Sequence, residues 1–226
     1  MGAVLDLVRV LFSPTEVFER LREKPVWFVP ALALSVLITI LNYLVLPFRM
    51  ASMAPQLAKA AAQNPNAAAQ IEKIQQIAVF ASPIFVLLLL LIVAGVLWLL
   101  VMLLAGGDGK YRTLLSVATY TALPSLLLQV AGLVVLKMKG VESVSSPLDL
   151  QPPLGLNLLA PNVSGFLSGI LAGVNPFTIW GMVLTAIGIH VTHKTSKGSA
   201  YTVAIVAMLL GLLLGGAGAA MAGRGS

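Results

Sequence analysis

With 226 residues, 58% of them hydrophobic and only 10% charged, the chain lacks the polar surface that a water-soluble domain needs; soluble proteins carry about 25% charged residues. It has no cysteine, which excludes disulfides, thiolate metal sites and cysteine nucleophiles. The formal charge of +6 comes from basic residues scattered among the hydrophilic connections, so it points to anionic lipid headgroups as partners and not to nucleic acid.

The opening stretch, Val4 to Phe12, is apolar but short, and Asp6 and Arg9 break it. With Glu16, Arg20 and Glu23 following, no uninterrupted apolar region of a cleavable leader forms, and the first span is expected to act as an uncleaved anchor. Ser13-Pro14-Thr15-Glu16 then reads as a helix start: Ser13 as cap, Pro14 in the first turn, Glu16 completing a capping box. The helix predicted over 14–24 places Pro14, Val17, Phe18 and Leu21 on one face and charges on the rest, the pattern of an amphipathic helix in the membrane interface. Lys24-Pro25 ends it.

The first span is predicted over 26–47, flanked by the interfacial aromatics Trp27 and Tyr43 and closed by Pro47. An alanine- and glutamine-rich region, 51–76, follows, split by Asn64-Pro65-Asn66, with Asn66 expected to cap a helix running into the second span, 77–105. Read from Asn66, that helix is about 60 Å long at 1.5 Å per residue, so its first turns should project into water, and Pro83 marks a kink or the entry into the bilayer. Gly106-Gly107-Asp108-Gly109 is a tight turn, after which Lys110, Tyr111 and Arg112 sit at the interface.

The third span is predicted over 114–136 with Pro124 inside. Lys137, Lys139, Glu142, Asp149 and Pro152-Pro153 then place the chain outside the bilayer. Phe166 to Val174 is apolar but too short to span, which suits an interfacial or re-entrant piece. Asn175-Pro176 opens a short fourth span, 174–192, and a hydrophilic turn with Lys194 and Lys197 leads to the last span, 200–221.

The expectation is an all-α integral membrane protein: one domain over 1–226, with five transmembrane helices and an N-terminal amphipathic interfacial helix. An odd count puts the termini on opposite sides. With the N-terminus inside, Arg9, Arg20, Arg22, Lys24, Lys110, Arg112, Lys194 and Lys197 lie on that side, against Arg49, Lys59, Lys73, Lys137, Lys139 and Arg224. That balance favours a cytoplasmic N-terminus.

Chemistry-bearing residues are few. The spans hold no Asp, Glu, Lys or Arg well inside them, which argues against proton-coupled transport. His190 and His193 are spaced i, i+3, but no carboxylate or cysteine lies nearby to complete a metal site, so no metal, cofactor or catalytic residue is assigned. The polar groups within spans are Asn42, Thr119, Tyr120, Thr121, Ser125, Gln129, Asn175, Thr178 and Thr185. They suit interhelical hydrogen bonding better than a polar track for a solute. Asn175 and Pro176, at a helix start, can also expose backbone donors to an anion. Small residues four apart, Gly211, Gly215 and Ala219 in the last span and Gly165, Gly169 and Gly173 before the fourth, form ridges for close helix packing or self-association.

In order and spacing these features resemble the Yip1 family of small polytopic membrane proteins. The resemblance rests on Ser13-Pro14-Thr15-Glu16-Val17-Phe18 with Pro25 and Pro30, and on Tyr111-Arg112-Thr113-Leu114-Leu115 through Tyr120 to Pro124. It continues with Asn175-Pro176-Phe177-Thr178-Ile179-Trp180, then Gly188 and the Lys194–Ala200 turn. It implies five spans and a cytoplasmic N-terminus. Eukaryotic relatives, linked to Rab GTPases, carry a longer cytosolic N-terminal region; only a short helix stands there in this chain. The alanine-, leucine- and glycine-rich composition suits a prokaryotic member in an inner membrane. The expected role is a non-enzymatic membrane scaffold or adaptor that contacts lipids and other membrane proteins or itself, the alternative being a small solute permease or channel-like transporter.

Overall fold

The computed structural model describes residues 2–106, 109–151, 154–160, 162–163 and 165–222, and among them all regular structure is helical. Four helical stretches are long and apolar enough to cross a bilayer, and a bent helix pair is a fifth when counted as one span. This is the all-α membrane architecture expected.

The first helix, α1 (Gly2–Arg9), lies in the stretch that Asp6 and Arg9 seemed to break. Its charge is compensated: Arg20 Nη2 donates to Asp6 Oδ1 at 2.8 Å, and Arg9 Nη1 stands 3.5 Å from the same oxygen. Leu7 and Val10 are buried, while Val4, Leu5, Val8 and Phe12 are exposed, so α1 presents its own apolar face outward. Helix α2 (Pro14–Glu23) forms as predicted, with Pro14 in its first turn and its last turn ending before Pro25. The Ser13 side chain, however, makes no capping hydrogen bond.

Helix α2 is not an apolar face laid on lipid. Val17, Phe18 and Leu21 are buried in the bundle, in one cluster with Leu7, Leu34, Val117 and Tyr120. A short amphipathic helix gains most of its stability from such tertiary contact, because its own hydrogen bonds barely offset the cost of nucleation.

Helix α3 (Phe28–Ser52) runs past Pro47, which was expected to close it. Proline forfeits one i→i−4 bond, but Phe48 is buried with Leu133, Leu136 and Val144, and that packing carries the last turn. Helix α4 (Ala54–Gln63) is a short, polar return packed on α5. The Asn64-Pro65-Asn66 break follows, where Asn64 Oδ1 accepts from the Asn66 N–H at 2.9 Å; the Asn66 side chain itself caps nothing. Helix α5 (Ala67–Leu100) then continues through a π-helical turn at Val101–Ala105, giving one 39-residue rod with Pro83 inside it. Gly106 ends the rod in the left-handed region at φ 61°; Gly107 and Asp108 of the predicted turn lie outside the described residues.

The third span is two helices in line, α6 (Tyr111–Thr121) and α7 (Leu123–Lys139), parted at Ala122 just before Pro124. Beyond Gly140 come three short 3-10 turns; Pro152 and Pro153 lie outside the described residues, as does Arg224. Helix α8 (Gly165–Gly173) meets α9 (Pro176–His193) at 61°, and α10 (Lys197–Ala222) closes the chain. Helix α8 packs along the C-terminal turns of α10, and His193 at the other end of α9 lies beside Lys110. Helix α9 thus runs between these two ends of the bundle, with α8 bent back against α10.

Candidate functional site

Two seams and one crevice organise the bundle. The first seam joins α2, α6 and α9. A Cβ on Gly188 would stand 2.8 Å from Val117 Cγ1 and 3.1 Å from Phe18 Cε1, so only glycine lets the Phe18 ring and α6 approach α9 this closely. Tyr120 is fully buried here, and its hydroxyl donates to the Ala3 carbonyl at 3.2 Å. Tyr120 lies nine residues beyond Tyr111, about 13 Å along the axis at ~1.5 Å per residue. It therefore ties α1 to the bundle below the level of the helix ends. Pro124 is buried one turn further on, at the α6–α7 break.

The second seam joins α8 to α10, and it uses only part of the small-residue ridges for packing within the chain. A Cβ at Gly211 or Gly215 would meet nothing within 4 Å, and both residues are exposed. The packed face is one residue round the helix: Leu212 against Gly173, Gly216 against Phe166 and Ile170, and Ala219 against Gly169. Of the expected ridge only Ala219 is engaged, while Gly169 and Gly173 of the α8 ridge are. Gly165 has open space beside it and a φ of 62°.

Asn175 joins α8 to α9. Its Oδ1 accepts from the Thr178 N–H at 3.0 Å, and its Nδ2 donates to the carbonyls of Ala172 and Gly173 at 3.3 and 3.2 Å. One buried amide thus caps the start of α9, with Pro176 in the first turn, and the end of α8. This occupies the Thr178 donor, so an anion at this helix start would compete with the Asn175 cap.

The crevice, about 480 Å³, opens between α5, α6–α7, α9 and α10, and it collects Thr121, Ser125, Gln129, Thr178 and Thr185 among mostly apolar neighbours. Interhelical hydrogen bonding was the expectation for these groups, and the hydroxyls largely turn elsewhere. Thr185 donates to Gly181 O at 2.8 Å, Thr119 to Leu115 O at 2.8 Å and Thr121 to Ala118 O at 3.4 Å, each within its own helix. The bridge that sequence reasoning missed is Thr39 with Ser82. Thr39 donates to Ser35 O at 2.8 Å, so the 2.8 Å contact between the two hydroxyls has Ser82 as donor, linking α3 to α5. A hydroxyl in each of two consecutive predicted spans was the only signal the sequence offered.

His190 and His193 do not converge on a common point. His190 Nδ1 donates to the Thr195 carbonyl at 2.7 Å, and His193 Nδ1 stands 2.7 Å from Thr192 Oγ1. Among the described residues no three His, Asp or Glu side chains come together as a metal site would require.

The family model of the Yip1 domain matches residues 8–218. Among curated proteins, the chain is similar to "Membrane protein YknW" of Bacillus subtilis (strain 168), 30% identical over 214 residues that cover 92% of this chain and 87% of the relative. No solved structure matches.

Proposed function

Because the chain belongs to the Yip1 domain family of membrane proteins, we propose that it acts as a non-enzymatic membrane-organising or adaptor protein of the inner membrane, with its α2 end in the cytoplasm. The observation that carries this reading is the contrast between interior and exterior. Thr121 and Thr185 of the crevice are spent on carbonyls of their own helices, and apart from Ser125, Gln129 and Thr178 the rest of its lining is apolar, which gives a hydrophilic solute few partners. The outward face of α10, in contrast, carries Gly215 and Gly218, each with open space where a side chain would be. Such a face lets the helix of another membrane protein, or of a second copy, approach closely.

The chain has no cysteine of its own, so a Gly215→Cys variant carries one unique thiol. Crosslinking it in intact membranes, then isolating the products in mild detergent, is expected to join the chain to a membrane protein or a second copy; a cysteine at buried Val203 should not. Absence of any product sinks the adaptor reading. A solute flux in proteoliposomes that Gln129→Leu abolishes would replace it with the permease reading. A cytoplasmic reporter fused at Ser226 should be silent, and activity there overturns the orientation.

A further inference from the structure

The end of the bundle that holds α2 carries a cleft of about 700 Å³ between α2 and the α9–α10 hairpin. Its charged lining is Glu19 and Arg22 from α2, with Lys194 and Lys197 from the hairpin turn. A second cleft of about 450 Å³ adjoins it, shares Arg22 and Lys194, and adds Lys110 and Glu23. Four cations, Arg22, Lys110, Lys194 and Lys197, thus face two carboxylates.

These cations are not neutralised locally. Among the described residues the ion pairs are those of Asp6 with Arg9 and Arg20, and none involves the four. Like charges brought together repel, and the repulsion is relieved when an anion enters. Lys194, common to both clefts, is the one non-glycine residue at positive φ among those described, at φ 51°. That is the left-handed terminus of α9, where glycine or asparagine is the unstrained choice. That backbone turns the chain from α9 into α10 and holds Lys194 at the rim shared by the two clefts.

The level of the cleft and its walls define the anion. Helix α9 ends at His193 and α10 begins at Lys197, so the cations lie where headgroups meet water. Beside them the wall carries apolar surface from Ala186, Ile187 and Val191 on α9, interrupted by His190 and faced by Tyr201. A free anion would use only the charged part of such a cleft, whereas an anion carried on an apolar body uses both parts. We propose that this cleft holds the phosphate of an anionic phospholipid between Arg22 and Lys194, with its glycerol and first methylenes against Ile187 and Val191. The site goes beyond the adaptor role and stands or falls independently of it.

Native mass spectrometry of the full chain in mild detergent tests this, with phosphatidylglycerol, phosphatidylcholine or inorganic phosphate added. One phosphatidylglycerol should be retained in preference to phosphatidylcholine. Arg22→Gln with Lys194→Gln should weaken that retention about tenfold or more, the scale of losing charge-assisted hydrogen bonds to one phosphate. Lys24→Gln with Arg112→Gln removes the same charge from a separate crevice at the same end, and should change retention less than about twofold. Should the first pair fail to fold by thermal melt, Lys197→Gln alone reads the same site and should still weaken retention. Equal loss in both pairs means diffuse attraction and overturns the site. So does the absence of preference between the two lipids, or displacement of the lipid by millimolar inorganic phosphate.

Discussion

Replacing Gly169 by alanine isolates the α8–α10 seam. The added Cβ would stand 2.6 Å from Ala219 Cβ, 2.8 Å from the Gly215 carbonyl oxygen and 2.9 Å from Gly216 Cα. Ordinary contact begins near 3.4 Å, so the helices must part by about 0.8 Å. The obstructing atoms are backbone or Cβ, and no rotamer change moves them aside. Overpacking of this kind costs about 1–3 kcal/mol, and parting the helices also weakens the contacts of Gly216 with Phe166 and Ile170. Gly215→Leu is the matched control: it adds far more volume one residue from the seam, where a Cβ meets nothing within 4 Å. Thermal unfolding in mild detergent, at protein concentrations too low for copies to associate, is expected to show Gly169→Ala destabilised and Gly215→Leu close to wild type. Equal stability of Gly169→Ala and wild type would refute the seam. So would a Gly215→Leu variant destabilised as much as Gly169→Ala.

Three further outcomes follow from the same coordinates. Phe18→Ala should cost about 3–5 kcal/mol, because the ring is fully buried against Gly188; faster tryptic cleavage at Arg20 and Arg22 reads the release of α2. Asn175→Ala should lower stability by about 0.5–2 kcal/mol for the lost cap alone, and Asn175→Asp should recover only part, since it keeps the acceptor for Thr178 but loses the donors to Ala172 and Gly173. The Asp149 carboxyl is held below its ordinary value of 3.8, chiefly by the Ser145 backbone N–H; burial opposes this, and the Ser146 backbone N–H and the two serine hydroxyls add to the lowering. Its contribution is therefore present above that ordinary value and lost as pH falls through the lowered one. A dye on a cysteine introduced at Ser143 should report loosening of this turn in acid, and Asp149→Asn should abolish that pH dependence.

What local sequence determined about this protein is set by solvent and by short-range chemistry. Long uncharged runs must hydrogen-bond their own backbone in lipid, so the helical class and the spans in 77–105 and 200–221 were legible directly. Pro14 and Pro25 bounded α2, and Asn175-Pro176 opened α9, because capping acts within one turn. Where charges pair across elements, local pattern misled: Asp6 seemed to break the first stretch, yet its partner Arg20 sits on the next helix and makes α1 possible. Pro47 misled for the same reason, since the packing of Phe48 against α7 outweighs one missing hydrogen bond.

Only the tertiary structure decided which face of each helix meets protein. A repeat of small residues every four positions marks a ridge, but Gly211 borders the crevice and Gly215 looks outward while Gly216, outside the repeat, meets α8. On a nearly uniformly apolar helix, lipid and protein are equally good solvents for a side chain, so hydropathy carries no information about direction. The same limit hid the basic cleft. Arg22, Lys110 and the Lys194–Lys197 turn are far apart in sequence, and folding brings them around two adjoining clefts at one end of the bundle.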